Sequence, residues 1–275
     1  MNTYFILPFD HRTGFAREIM GVEYPFSPEN LQKAKELKGM IWEAFLEVWE
    51  KEEDASQLGI LLDEETGGEI FSVAAAKNIT CILTLEESGK TPLCPLYPLH
   101  EIVTKINSTR ASCAKLLIKT PCASNEIEQE QIRNVKEIAD VCKTKDIPLL
   151  LEIVTTTDIT EREKTILDTI DTLHHQEIFP DIWKLEAQTS VSAWKHIAAH
   201  AAAPIVVLGR GENEDTVKEY LKIAKQSGTV KGFAVGRTIF AKPLMAYIHN
   251  TMSKEKAIAE IARHFMECKK VWDNT

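Results

Sequence analysis

A closed (β/α)8 barrel, the TIM-barrel fold, is the α/β architecture this sequence predicts, and three observations carry it. Eight short apolar runs recur along the chain: YFILPF, QLGILLD, ITCILTL, CAKLLIK, IPLLLEIV, DIWKLEA, APIVVLG and VKGFAVG. Amphipathic, helix-like segments lie between most of them, and alternating strands and helices build a parallel sheet. The runs are apolar almost throughout, as strands covered on both faces are. Eight such units in 275 residues suit one closed barrel, a single domain over residues 1–275. An open doubly wound sheet is the rival reading, but its GxGxxG turn is missing after the first run.

The elements follow in order. The first run ends in the polar turn Asp10-His11-Arg12. The helix after it opens on Ser27 as N-cap with Pro28 at its first position. Its tryptophans, Trp42 and Trp49, lie seven apart and read as packing residues. A later helix opens on Ser124-Asn125 and places Ile127, Ile132, Val135, Ile138 and Ala139 along one side. The helix from Asn213 closes on Gly228, the expected C′ glycine. The C-terminal segment 253–274 is amphipathic and serves for packing on the barrel or against a second copy in a homo-oligomer.

Composition narrows the function. A net charge of −9 argues against a nucleic-acid partner. No apolar run approaches the length of a membrane span. None of the six cysteines forms a CxxC pair, which argues against a zinc cluster, and Cys81 and Cys113 sit inside apolar runs as small core residues. With no secretory signal at the N-terminus, reduced thiols in a cytoplasmic protein are expected.

Polar residues at the C-terminal strand ends of a barrel read as active site. Here the first run ends in Asp10 and His11, the second in Asp63, Glu64 and Glu65, and the third in Glu86 and Glu87. The fourth contains Lys115 and Lys119, the fifth Glu152, the sixth Lys184 and Glu186. Residues such as Arg12, Glu64, Glu65 and Glu87 are equally explained as solvated turns. Lys115, Glu152 and Lys184 interrupt apolar runs, where an unpaired charge costs several kcal/mol. They form either a structural ion network or a catalytic one. In the catalytic reading the Lys184 amine forms a Schiff base with a carbonyl substrate. Lys115 is then a second cation that favours the neutral amine, and Glu152 carries protons. Lys119, four residues on, is a second candidate for the assisting cation. No metal or cofactor is needed for that chemistry. Of the eight histidines only His11 falls at a strand end, which argues against a histidine-rich metal site, while a carboxylate site for a hard cation stays open.

The seventh and eighth runs close on Gly209-Arg210-Gly211 and Gly236-Arg237. Barrels often hold phosphate between the loops after strands 7 and 8. Glycine lets an anion approach backbone N–H groups, and arginine adds a charge-assisted contact.

In order along the chain, FDHR, GILLDEETG, LEESG, AKLLIK, LLLEIV, DIWKLE, GRG and GFAVGRTIF resemble the class I barrel aldolases of the tagatose-1,6-bisphosphate aldolase type. The likeness is strongest to the aldolase part of bacterial myo-inositol catabolism proteins. That branch cleaves 5-dehydro-2-deoxy-D-gluconate 6-phosphate to dihydroxyacetone phosphate and malonate semialdehyde. The resemblance implies a carbon–carbon lyase acting on a phosphorylated keto sugar. It implies Lys184 as the Schiff-base lysine, Lys115 as its neighbouring cation, Glu152 as proton shuttle, and Asp10 as the acid that contacts hydroxyls or orients the lysines. It matches Glu86 to the family's strand-3 glutamate, and Gly236 and Arg237 to its phosphate ligands. Glu86 is expected among the substrate contacts together with Asp63, His11 and Glu186, which are charged or polar residues on or at the ends of the strands. The chain departs from the tagatose-bisphosphate enzymes after Glu186, where AQTS replaces a Val-Pro segment, and at GRG, where those enzymes carry Ser-Ala-Gly. The sugar is therefore left open: tagatose 1,6-bisphosphate or a sulfo-sugar phosphate is the alternative substrate. A sugar-phosphate-binding regulator without turnover is the non-enzymatic alternative.

Overall fold

Eight parallel strands close on themselves in sequence order, and β1 completes the ring by pairing with β8. The computed structural model describes residues 3–275; the first two residues of the expected domain lie outside the described residues. The strands are β1 (Tyr4–Pro8), β2 (Leu58–Leu62), β3 (Thr80–Thr84), β4 (Cys113–Thr120), β5 (Leu149–Thr155), β6 (Ile182–Glu186), β7 (Ile205–Leu208) and β8 (Val230–Ala234). Each falls on one of the eight apolar runs.

The helices are α1 (Pro28–Trp49), α2 (Glu64–Ala76), α3 (Leu99–Thr109), α4 (Asn125–Thr144), α5 (Arg162–His175), α6 (Val191–Ala201), α7 (Glu214–Gln226), α8 (Arg237–Ile248) and α9 (Lys254–Asp273). Local chemistry sets their starts. Ser27, Asp63, Ser124, Ser190, Asn213 and Ser253 each accept a backbone N–H of the first turn. Pro28 follows its cap in the first turn of α1, and Gly228 takes positive φ just past α7. On α4 the buried side is Gln131, Val135, Ile138 and Cys142, a slightly different stripe from the expected one. Gln131 is buried because its amide donates to the Lys119 carbonyl at 2.9 Å, a long-range bond that periodicity does not encode.

The core has two parts. Outward-facing strand residues pack against the helices, with Phe5, Phe233, Phe265 and Trp272 joining β1, β8 and α9. Packing on the barrel therefore accounts for much of the apolar face of α9. Trp42 is buried and stacks on Phe45, as a packing residue does. Inside the barrel, Ile6, Leu61, Ile82, Cys113, Leu150, Val206 and Ala234 form a separate apolar plug, with Ile182 of β6 packed against it. The side-chain period of a strand is two, so residues two positions beyond the plug face the barrel axis above it. Those positions include Thr84, Lys115, Glu152 and Lys184. Cys81, Cys113, Cys142 and Cys268 are buried, and all six cysteines are free thiols. Among the described residues no helix is long and apolar enough to cross a membrane.

Candidate active site

A cavity of about 360 Å3 opens at the C-terminal ends of the strands, directly over the charged layer. Asp10, His11 and Arg12 enter it from the end of β1, Glu86 to Lys90 from the loop after β3, and Lys115 and Lys119 from β4. Glu152, Lys184, Gly209 to Gly211, Gly236 and Arg237 complete the wall from β5 to β8. The register of β5 and β6 pairs Glu152 with Lys184, so the two side chains leave neighbouring strands at one level. Lys115 and Lys119 are four apart on β4 and share the inward side, as the period of two requires.

Lys115 is the hub of the layer. Its ammonium donates to Asp10 Oδ2 at 2.9 Å and to Glu86 Oε1 at 2.6 Å, and lies 3.2 Å from Glu152 Oε2. The same Glu152 oxygen accepts from Lys184 Nζ at 2.9 Å. Two ammonium groups thus share one carboxylate oxygen, and all five side chains are buried. Asp10 Oδ2 also accepts from Thr84 Oγ1 at 2.8 Å.

The charges set one another's titration. Burial opposes the ammonium of Lys115, but Asp10, Glu86 and Glu152 outweigh it and raise its pKa. Burial likewise opposes ionisation of Asp10, yet Lys115 and Lys184 hold it well below the usual carboxylate range. Glu152 is lowered against its own burial by Lys184 and Lys115. Glu86 goes the other way: burial, supported by Asp10, raises it to about 7 in spite of Lys115. His11 is pushed down to about 3, chiefly by burial and against the pull of Asp10, so its ring is neutral at physiological pH.

Two expected site residues lie outside the cavity wall. Asp63 is fully buried, caps α2 through Thr66 N at 2.9 Å, and accepts from Lys38 of α1 at 2.7 Å. Its partner lies on the helical layer, so the carboxylate ties helices to β2. Glu186 is also fully buried: it accepts from the Thr155 N–H and hydroxyl and pairs with Arg210 Nη1 at 2.7 Å. Arg162 Nε, 3.6 Å away, adds a second cation. Both acids are already held by protein groups.

The glycine-arginine ends face the cavity, with geometry that needs glycine. A Cβ on Gly236 would lie 2.3 Å from the Pro8 carbonyl oxygen, so the end of β8 can approach β1 only without one. Gly211 takes φ of +78°, which favours glycine. Arg210 reaches inward to Glu186 and to the Thr155 carbonyl. Arg237 Nη1 donates to both oxygens of Glu18 at 2.6 Å, and Nη2 donates to the Arg210 carbonyl at 3.2 Å. Glu18 stands on a π-helical turn, Phe15–Met20, 219 positions away in sequence.

Sequence reasoning missed part of this wall. Arg12, equally explained as a solvated turn, is buried and donates to the Glu86 carbonyl at 2.5 Å. Ser88 and Gly89 also line the cavity, and Ser88 Oγ accepts the Thr13 N–H at 3.1 Å. The Ser-Gly pair of LEESG was their visible signal; Glu18 had none, because its partner is set by chain closure. Among the described residues no group of three or more His, Cys, Asp or Glu side chains is arranged to hold a metal ion.

Known proteins resemble this arrangement in fold. Protein Cgl0159 of Corynebacterium glutamicum shares 14% identity, covers 96% of this chain and 86% of its own, and superposes with a TM-score of 0.66. A Schiff-base-forming fructose-1,6-bisphosphate aldolase gives 15% identity, 97% and 94% coverage, and a TM-score of 0.61. The fructose-bisphosphate aldolase of Slackia heliotrinireducens gives 12% identity, 94% and 85% coverage, and a TM-score of 0.56. At such identities the likeness is one of fold. No curated protein matches the sequence. The family model described as "Uncharacterized protein conserved in bacteria (DUF2090)" matches residues 1–275, and the chain belongs to that family.

Proposed function

We propose that this protein is a class I aldolase, a carbon–carbon lyase that cleaves a phosphorylated keto sugar or keto acid through a Schiff base on Lys184. The observation that carries the proposal is the 2.9 Å contact between Lys184 Nζ and Glu152 Oε2 inside the strand-end cavity, with Lys115 on the same oxygen. The fold likeness to a Schiff-base-forming fructose-1,6-bisphosphate aldolase supports the same reading.

Lys184 passes a proton to Glu152, and its free amine attacks the substrate ketone. Glu152 returns the proton to the carbinolamine oxygen, water leaves, and an iminium forms. The iminium draws the electrons of the neighbouring C–C bond, so the electron sink is covalent and the step calls for no metal. Lys115, held charged by its three carboxylates, stabilises negative charge developing on substrate oxygen. Gly209, Arg210, Gly211, Gly236 and Arg237 receive the phosphate at the β7–β8 side, where backbone N–H groups can approach it. The sequence resemblance favours 5-dehydro-2-deoxy-D-gluconate 6-phosphate as substrate, released as dihydroxyacetone phosphate and malonate semialdehyde.

Borohydride reduction in the presence of dihydroxyacetone phosphate tests the proposal. The expected result is a stable adduct located at Lys184 by peptide mass, absent from Lys184→Ala together with cleavage activity. Full activity in Lys184→Ala, or inactivation of the wild type by EDTA alone, refutes it.

A further inference from the structure

We propose that Glu86 is a second proton-transfer residue of this site: its free carboxylate oxygen takes the proton of the substrate hydroxyl that becomes the aldehyde. The inference rests on the Schiff-base reading and divides its labour between two carboxylates. An aldolase of this kind moves protons in two places. One is at the lysine, where carbinolamine forms and dehydrates. The other is at the hydroxyl β to the iminium, which must lose its proton as the C–C bond breaks.

Glu152 suits the first task and is committed to it, since its Oε2 serves both lysines. Glu86 suits the second. Its Oε1 accepts from Lys115, while Oε2 is buried and has no hydrogen-bond partner among the described residues, although the residue lines the cavity. A buried polar atom without a partner costs about 1–3 kcal/mol, a cost that a substrate hydroxyl would remove. The backbone is firmly placed. The Glu86 carbonyl accepts from Arg12, Glu87 N donates to the Cys94 carbonyl at 2.8 Å, and Leu96 N donates to the Leu85 carbonyl at 2.7 Å.

The groups that face Glu86 are Lys115 from β4 and Asp10 and Arg12 from the end of β1. Asp10 is a poor rival as base, because the lysines hold it well below the usual range, whereas Glu86 lies near neutrality at about 7. Two carboxyls driven apart by their surroundings are the pattern expected of an acid–base division of roles.

The step balances. The hydroxyl O–H bond breaks and its proton goes to Glu86 Oε2. The O–H electron pair becomes the aldehyde C=O, and the C–C pair moves into the iminium to give a neutral enamine. One proton is then delivered to the enamine carbon before the Schiff base is hydrolysed, and condensation runs the same transfers in reverse.

The test uses Glu86→Gln in the whole protein with three measurements. They are borohydride trapping of dihydroxyacetone phosphate on Lys184, exchange of solvent deuterium into its α-carbon, and its condensation with malonate semialdehyde or glyceraldehyde 3-phosphate, whichever the wild type accepts. We expect trapping and exchange to persist within about 3-fold and condensation to fall about 100-fold or more, the range of a lost general acid–base group. Wild-type condensation should show a pH limb near 7 that the exchange reaction lacks; this measurement stands even where the variant folds poorly. Undiminished condensation by Glu86→Gln overturns the assignment, as does loss of all three activities together or matching wild-type pH profiles. Failure of the wild type to trap on Lys184 instead refutes the Schiff-base reading, and this assignment with it.

Discussion

Replacing Lys115 by methionine removes the single ammonium that Asp10, Glu86 and Glu152 share, at contacts of 2.9, 2.6 and 3.2 Å. At an effective dielectric of 20, a pair about 3 Å apart attracts with roughly 5–6 kcal/mol before desolvation is subtracted. The desolvation of a buried ammonium, itself several kcal/mol, offsets much of that sum. What remains after truncation is the cost of three buried carboxyls with Lys184 as their remaining nearby lysine, about 3–5 kcal/mol. The loss depends on pH. Without Lys115 the carboxyls titrate higher in the folded than in the unfolded chain, so the folded state binds more protons as pH falls. Stability of the variant therefore decreases as pH rises through the raised folded pKa values. In the wild type the sign is opposite for Asp10 and Glu152. Their folded values are lowered, so their contribution is present above the unfolded carboxylate pKa of about 4 and is lost as pH falls through the folded values. Thermal unfolding at pH 8 and pH 5 reads the difference. For a chain of this size 1 kcal/mol moves Tm by about 2–4 °C, so Lys115→Met should melt about 10 °C lower at pH 8, with a smaller gap at pH 5. A shift under about 2 °C, or one that does not change with pH, would show that Lys115 is not the charge centre of the site.

Two further predictions concern residues that the structure removes from the cavity or holds at its edge. Asp63→Asn keeps an N-cap oxygen but leaves the fully buried Lys38 without its counter-ion, and should destabilise by about 3–5 kcal/mol. The double variant Lys38→Met, Asp63→Asn should recover most of that loss in thermal unfolding, and a double variant as unstable as the single one contradicts the pairing argument. Glu18→Gln frees Arg237 from a partly exposed carboxylate. Such pairs are worth roughly 0.2–1 kcal/mol, so inorganic phosphate should bind up to about 5-fold more tightly by calorimetry. Unchanged or weaker binding would separate Arg237 from the anion site.

The apolar runs made all eight strands legible, because a strand covered on both faces must be apolar almost throughout. Lys115, Glu152 and Lys184 were legible for the converse reason: each breaks such a run, and a buried charge requires partners. Position on the strands also set Asp63 and Glu186 among the expected substrate contacts, yet neither lines the cavity. Both are buried and both are paired, but with Lys38 for Asp63 and with Arg162 and Arg210 for Glu186. A strand period says that a side chain turns inward or outward, not which distant group meets it. For Arg12, which the sequence left between site residue and solvated turn, burial and the Glu86 carbonyl decide for the site.

The sequence by itself thus determined what local covalent geometry controls: helix caps, the strand period, the order of units around the barrel, and the level at which the charged layer sits. Closure of the barrel decided the rest. It brings β8 against β1 through Gly236, lets Arg237 meet Glu18, and sets Asp10, Glu86 and Glu152 around one ammonium. The side-chain contacts among these join residues from 29 to 219 positions apart. In this buried layer the set of neighbouring charges, more than residue type or the length of one contact, separates the carboxyls: Lys115 and Lys184 together hold Asp10 and Glu152 low, whereas burial, supported by Asp10, raises Glu86 although it lies 2.6 Å from Lys115.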